Sequence, residues 1–204
     1  GDALMAVFGA PAPSADHPDR ALASALEMHA QLAVLRGSLD ASLNIGVGIN
    51  TGDMVVGNMG SQMRFDYTVM GDSVNLASRL EGTNKEYGTN IIISEFTHEI
   101  IKDEIFCREL DSVQVKGKKR PVRIFELLGY RKEAAQWQEF VSRFETGLAK
   151  YRAGLWDEAI AAFRGVLEVR PVDFPAMLYI DRCEALKESP PEGEWDGVFM
   201  MTKK

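Results

Sequence analysis

Cysteine is scarce in this chain. Only Cys107 and Cys183 occur in 204 residues, far apart and without CxxC spacing. That argues against a disulfide framework and a thiolate zinc site, and it fits a reducing, cytoplasmic setting. The three histidines are scattered and suggest no metal cluster. No apolar run approaches the roughly 20 residues of a membrane span, and no signal peptide is visible. Positive charge is not in excess either. The net charge is -7 and the pI about 5.1, so nothing draws the whole chain to nucleic acid or anionic lipid. No glycine-rich phosphate loop ending in Gly-Lys-Ser or Gly-Lys-Thr occurs. The run Gly46-Val47-Gly48-Ile49-Asn50-Thr51-Gly52 misses a dinucleotide fingerprint by one position, and strand residues follow where a helix should open.

What is present is ordinary for a soluble globular protein: 46% hydrophobic and 26% charged residues, enough for one domain and a smaller appendage. Residues 3–8 form an apolar run bounded by Gly9, Pro11 and Pro13, which reads as a buried strand. It begins with no lead-in, so the chain reads as starting mid-domain, with an upstream part missing. Asp16-His17-Pro18 predicts a helix start, and the apolar spacing from Ala21 to Leu35 carries that helix to Gly37. Residues 43–49 and 54–56 read as a hairpin around Thr51-Gly52-Asp53, and 65–69 as a further strand. A helix capped by Asp72 or Ser73 is expected to run to Glu86. Beyond it the pattern predicts a strand at 90–94, a short helix at 95–102, and two or three strands over 106–110, 112–116 and 121–128. Past Gly129-Tyr130 strand signals vanish and helical periodicity takes over.

The most informative stretch is Tyr67-Thr68-Val69-Met70-Gly71-Asp72-Ser73-Val74-Asn75-Leu76-Ala77-Ser78-Arg79-Leu80-Glu81. Asn75 and Arg79 stand four apart on a predicted helix and share a face. Together they offer an amide and a guanidinium to phosphate oxygens, or simply a solvated polar face. The whole stretch resembles the signature of class III adenylyl and guanylyl cyclases. The resemblance covers residues 1–129 and extends to Gly1-Asp2-Ala3-Leu4-Met5-Ala6-Val7-Phe8-Gly9 and to Val115-Lys116-Gly117-Lys118.

The resemblance implies an α/β (α+β) fold, a ferredoxin-like cyclase domain that is N-terminally incomplete. It implies conversion of ATP to cyclic AMP and pyrophosphate. Asn75 would orient the ribose, Arg79 would bind the phosphate at which charge develops, Thr68 would read the purine and lean toward adenine, and Lys116 would hold the triphosphate. Asp2 would be the second of two aspartates holding two divalent cations, Mg²⁺ or Mn²⁺. The first aspartate and an adenine-reading lysine would lie upstream of Gly1, so the fragment alone is expected to be inactive or nearly so. Active sites in the family form between two such domains, which implies a homodimer. Guanylate cyclase activity, or a non-catalytic regulatory or protein-binding homologue, is the alternative. In bacterial cyclases resembling this one an upstream sensor often precedes the domain, sometimes with membrane spans; nothing in these residues reveals one.

The remainder divides into a helical extension at 130–188 and an irregular tail at 189–204. Gly147, Tyr151, Gly154, Trp156, Ala159, Phe163 and Pro171 follow the 34-residue tetratricopeptide pattern. A single such unit cannot bury its own apolar face. The extension is therefore expected to pack on the catalytic domain, on a dimer mate, or on another protein.

Overall fold

The computed structural model describes residues 3–37, 43–61, 64–114, 121–191, 193, 195, 197, 199 and 200. In chain order the elements are α1 (His17–Arg36), β1 (Val47–Ile49), β2 (Val55–Ser61), β3 (Arg64–Met70), α2 (Asp72–Tyr87), β4 (Ile91–Ser94), α3 (Glu95–Ile101), β5 (Ile105–Gln114) and β6 (Val122–Tyr130). A 3-10 turn at Arg131–Gln136 leads into α4 (Gln138–Arg152), α5 (Trp156–Val169), α6 (Phe174–Glu188) and β7 (Phe199–Met200). The architecture is mixed α and β, with three helices following the sheet.

The main sheet has the order β1-β4-β6-β5-β7, while β2 and β3 form a separate antiparallel ribbon. Strand β4 is buried along its whole length, as Ile91-Ile92-Ile93-Ser94 demands. Its side chains alternate between two cores. Ile91 and Ile93 join Leu22 and Ala25 of α1 and Ile101 of α3, whereas Ile92 joins Leu76, Leu80 and Tyr87 of α2. A third core lies among α4, α5 and α6 and reaches the sheet through Phe106 of β5.

Helix α2 sits close on β1 because β1 carries glycine there. A Cβ on Gly48 would lie 2.3 Å from the Ala77 carbonyl oxygen and 2.3 Å from the Glu81 nitrogen. At the far end Gly88 adopts φ 63°, a left-handed conformation that suits glycine, and closes the helix.

Several expectations are corrected. Residues 3–8 form no strand, and Leu4 and Met5 are exposed. An apolar run becomes a strand only where a neighbouring edge takes its backbone groups, and among the described residues none does. The 43–49/54–56 hairpin is absent: β1 pairs parallel with β4, and β2 pairs with β3. The chain leaves the sheet after Ile49 because Asn50 and Thr51 are tied elsewhere, to Ser73, Ser94 and Thr97. Of the two or three strands expected over 106–128 the described residues form two, β5 and β6, and β5 runs through 110–112 with register shifts between Phe106 and Cys107 and between Glu109 and Asp111. The N-cap of α2 is Gly71; Asp72 is the first helical residue, where a carboxylate suits the positive end of the helix dipole. The tail is not wholly irregular. Phe199 and Met200 pair in parallel with Val113 and Gln114 on the outer edge of β5, and Trp195 packs on Tyr151 and Trp156.

The helical extension packs on the sheet of its own chain. Arg108 of β5, fully buried, donates to Glu126 of β6 at 2.9 Å and to both carboxylate oxygens of Asp173 at 2.8 Å. Its guanidinium lies over the Phe144 ring of α4, 4.5 Å from the centroid. Asp173 also caps α6 by accepting from the Ala176 nitrogen. Among the described residues no helix is long and apolar enough to cross a membrane.

Two outcomes follow from this packing. Gly48→Ala should force α2 off β1 at a cost of about 1–3 kcal/mol, lowering the thermal midpoint by about 2–4 °C per kcal/mol. Gly57→Ala, which meets nothing within 4 Å, should not. Circular dichroism melts would read both. The second concerns His98, whose ring stacks on Phe125 at 4.1 Å and whose Nδ1 is buried without a hydrogen-bond partner. Burial pushes this imidazole below the ordinary histidine range, opposed by Glu99 and aided by Arg123 and Lys102. The fold thus favours neutral His98. Its contribution is full above the unfolded value of about 6.5 and is lost as pH falls through the lower folded value. Denaturant midpoints should therefore drop as the pH falls below about 6.5, and His98→Gln should remove part of that drop. His29, lowered chiefly by burial, contributes in the same direction and remains in the variant.

Candidate active site

Thr68, Asn75 and Arg79 lie on one continuous β-turn-α unit. Only Gly71 separates β3 from α2, and it does so with φ 149°, a conformation L side chains rarely adopt. Thr68 is partly buried and faces Gly57 across the ribbon. Asn75 lies in the first turns of α2, its backbone nitrogen donating to the Gly71 carbonyl at 3.2 Å. Arg79 follows one turn later. Both are exposed, while their neighbours Leu76 and Leu80 are buried against the sheet. The sheet side of α2 is thereby fixed by packing, and the polar side is presented outward.

Five further contacts hold that presentation. Asn50, just past β1, donates from Nδ2 to the Ser73 carbonyl at 2.9 Å and accepts from the Ser94 hydroxyl at 2.6 Å. Ser94 caps α3, so the first turn of α2 is tied to the end of β4. Asn84, fully within the fold, donates to the Val47 carbonyl at 3.0 Å and accepts from the Thr89 hydroxyl at 3.0 Å. Tyr87 donates to Asp111 of β5 at 2.5 Å.

Two expected site residues, Asp2 and Lys116, lie outside the described residues. The structure therefore brings three of the five together. Among the described residues no three His, Cys, Asp or Glu side chains gather as a metal cluster. Asn50 and Asn84 were not singled out from the sequence. Asn84 had a signal: it falls on the apolar stripe of Leu76, Leu80 and Tyr87, where an amide must find partners. Asn50 had none, because its partners Ser73 and Ser94 are remote in sequence.

The family model of the adenylate and guanylate cyclase catalytic domain matches residues 1–129. The chain belongs to this family. The match takes in the β3–α2 unit and the sheet beneath it. The chain is 36% identical over 193 residues to the adenylate cyclase, terminal-differentiation specific, of Dictyostelium discoideum, a stretch that covers 90% of this chain and 9% of that protein. The cyclase chain thus spans less than a tenth of that relative's length, and the alignment is long enough to take in the helical extension. Among solved structures it resembles the adenylyl cyclase CyaB from P. aeruginosa, with a TM-score of 0.55, 36% identity and coverage of 62% of this chain and 67% of that one. It resembles the guanylyl cyclase Cya2 with a TM-score of 0.54, 38% identity and coverage of 62% and 65%.

Proposed function

We propose that this chain is the catalytic region of an adenylate cyclase, converting ATP to cyclic AMP and pyrophosphate. The observation that carries the reading is the placement of Thr68, Asn75 and Arg79 on one rigid β-turn-α unit in a domain of this family. In the reaction the ribose 3′-oxygen attacks the α-phosphorus of the same nucleotide. The bond from 3′-oxygen to phosphorus forms, and the bond from phosphorus to the pyrophosphate oxygen breaks. Little covalent chemistry falls to the protein, so positioning and charge stabilisation carry the rate.

Each side chain then has one task. Asn75 holds the ribose, aiming the 3′-oxygen. Arg79 donates in a planar fork to the α-phosphate as charge develops. Thr68 reads the purine edge with a hydroxyl that both donates and accepts. Lys116 serves as a point charge on the triphosphate. Asp2 offers a hard carboxylate oxygen, which suits Mg²⁺ or Mn²⁺. Asp2 would be one holder of such cations, which when bound would supply charge to lower the pKa of the attacking hydroxyl and to neutralise the leaving pyrophosphate.

A second copy of the chain completes the site, one copy supplying Asp2 and the other Thr68, Asn75 and Arg79. The exposure of Asn75 and Arg79 supports this. So does the apolar surface beside them, where Val55, Tyr67 and Met70 of the β2–β3 ribbon are more than half exposed.

Guanylate cyclase activity is the second reading, favoured by the likeness to Cya2. The natural-length protein, assayed with Mn²⁺ and with ATP and GTP separately, decides between them. Cyclic AMP from ATP is expected, and cyclic GMP alone would keep the mechanism and overturn the substrate. Asn75→Ala and Arg79→Ala should each lower kcat by about 10²–10³-fold. Thr68→Cys should move the ratio of products toward cyclic GMP.

A further inference from the structure

Three features outside the site were candidates for a role: a cleft between α1 and the helical extension, the exposed apolar face of α6, and the buried charges between α6 and α2. The last carries an inference. We propose that Arg182 of the helical extension is a positioning residue for the cyclase reaction, holding the C-terminal end of α2 so that Asn75 and Arg79 are aimed. The inference rests on the reading of those two residues as catalytic.

Arg182 reaches α2 through β5. Its guanidinium pairs with Asp111 at 2.7 Å and donates to the Tyr87 hydroxyl at 3.2 Å, while Tyr87 donates to the same carboxylate oxygen of Asp111 at 2.5 Å. Asp111 and Tyr87 are fully buried and Arg182 is 8% exposed. The other Asp111 oxygen accepts from the Ser112 nitrogen. The guanidinium lies over the rings of Tyr87 and Tyr179, 5.4 and 5.1 Å from their centroids. Glu86, also on α2, stands 3.9 Å from Arg182. Two packing contacts reinforce the seat. A Cβ on Gly88 would be 2.5 Å from Cβ of Phe174 in α6, and Leu178 of α6 packs into the core beneath Leu76 and Leu80.

Burying an ion pair together with a neutral phenol is a costly way to gain stability alone, since apolar residues of similar volume often stabilise as well. What charges and directional hydrogen bonds add is a single allowed register. That matters here because α2 is a short rod. It touches β1 at Gly48 in its middle, with Tyr87 beyond the contact on one side and Asn75 on the other. The rise of 1.5 Å per residue puts Tyr87 about 18 Å from Asn75. About the Gly48 contact, centred near Arg79, Asn75 stands only about 6 Å along the axis, so a tilt of about 10° displaces it by about 1 Å, a misplacement that can cost 10²-fold in rate.

The test uses the natural-length protein with Arg182→Met, which keeps length and removes charge, and Tyr87→Phe, which removes only the hydroxyl. Steady-state kcat and KM for ATP are read together with amide exchange across α2. The expected result for Arg182→Met is a kcat lowered about tenfold with KM changed less than about twofold, and faster exchange in α2 than in α4 or α5. Tyr87→Phe should show the same pattern more weakly, and Arg182→Lys should recover part of the loss. Unchanged kcat and unchanged α2 exchange in the folded variants would overturn the proposal. If Arg182→Met fails to fold, Tyr87→Phe decides alone. Asn75→Ala separates the two readings. Full activity there defeats the catalytic assignment, whereas loss there beside an unaffected Arg182→Met defeats only the positioning role.

Discussion

Strand β5 carries two buried charges of opposite sign, and the seating of the helical extension depends on them. Arg108 is answered by Asp173 and Glu126, and Asp111 by Arg182. The sheet thus presents a positive and a negative group, and the helical extension presents their complements at the two positions that meet them. Leaving any one without its partner would strand a charge in a low-dielectric interior, typically at a cost of about 3–5 kcal/mol. The apolar cluster of α4, α5 and α6 supplies attraction without direction. The charge pairs supply direction, and they turn an adhesive surface into a defined seat.

That seat gives α4, α5 and α6 a surface on which to bury their open face. Here Phe106 of β5 enters the helical core, Tyr179 of α6 donates to the Leu110 carbonyl at the β5 register shift, and β7 lies along the β5 edge. The register shift matters chemically. It lets two consecutive residues, Leu110 and Asp111, both be fully buried, one in the α2-side core and one in the charge network.

The β3–α2 unit shows a division of labour along one helix. Leu76, Leu80, Thr83, Asn84 and Tyr87 face inward and fix the rod, while Asn75 and Arg79 face outward. The packed face of the rod thereby fixes where the outward side chains stand. Packing at Gly48 and hydrogen bonds at Asn50, Asn84 and Tyr87 hold it at start, middle and end.

Much of this was legible in the residues. The periodicity of α1 and α2, the three-isoleucine run of β4, and the co-facial Asn75 and Arg79 rest on local spacing, and local spacing is what sequence displays. The strand expected at 3–8 and the hairpin expected at 43–56 failed for a common reason: strand formation depends on which edge is free, and that is a property of partners remote in the chain. Likewise Arg108 and Asp111 look like ordinary charges in a strand until Asp173 and Arg182, more than sixty residues on, are seen beside them. Local spacing alone tells which side chains share a helix face. That the helical extension grips the end of α2 is a matter of burial and pairing between distant segments, which exist nowhere but in three dimensions.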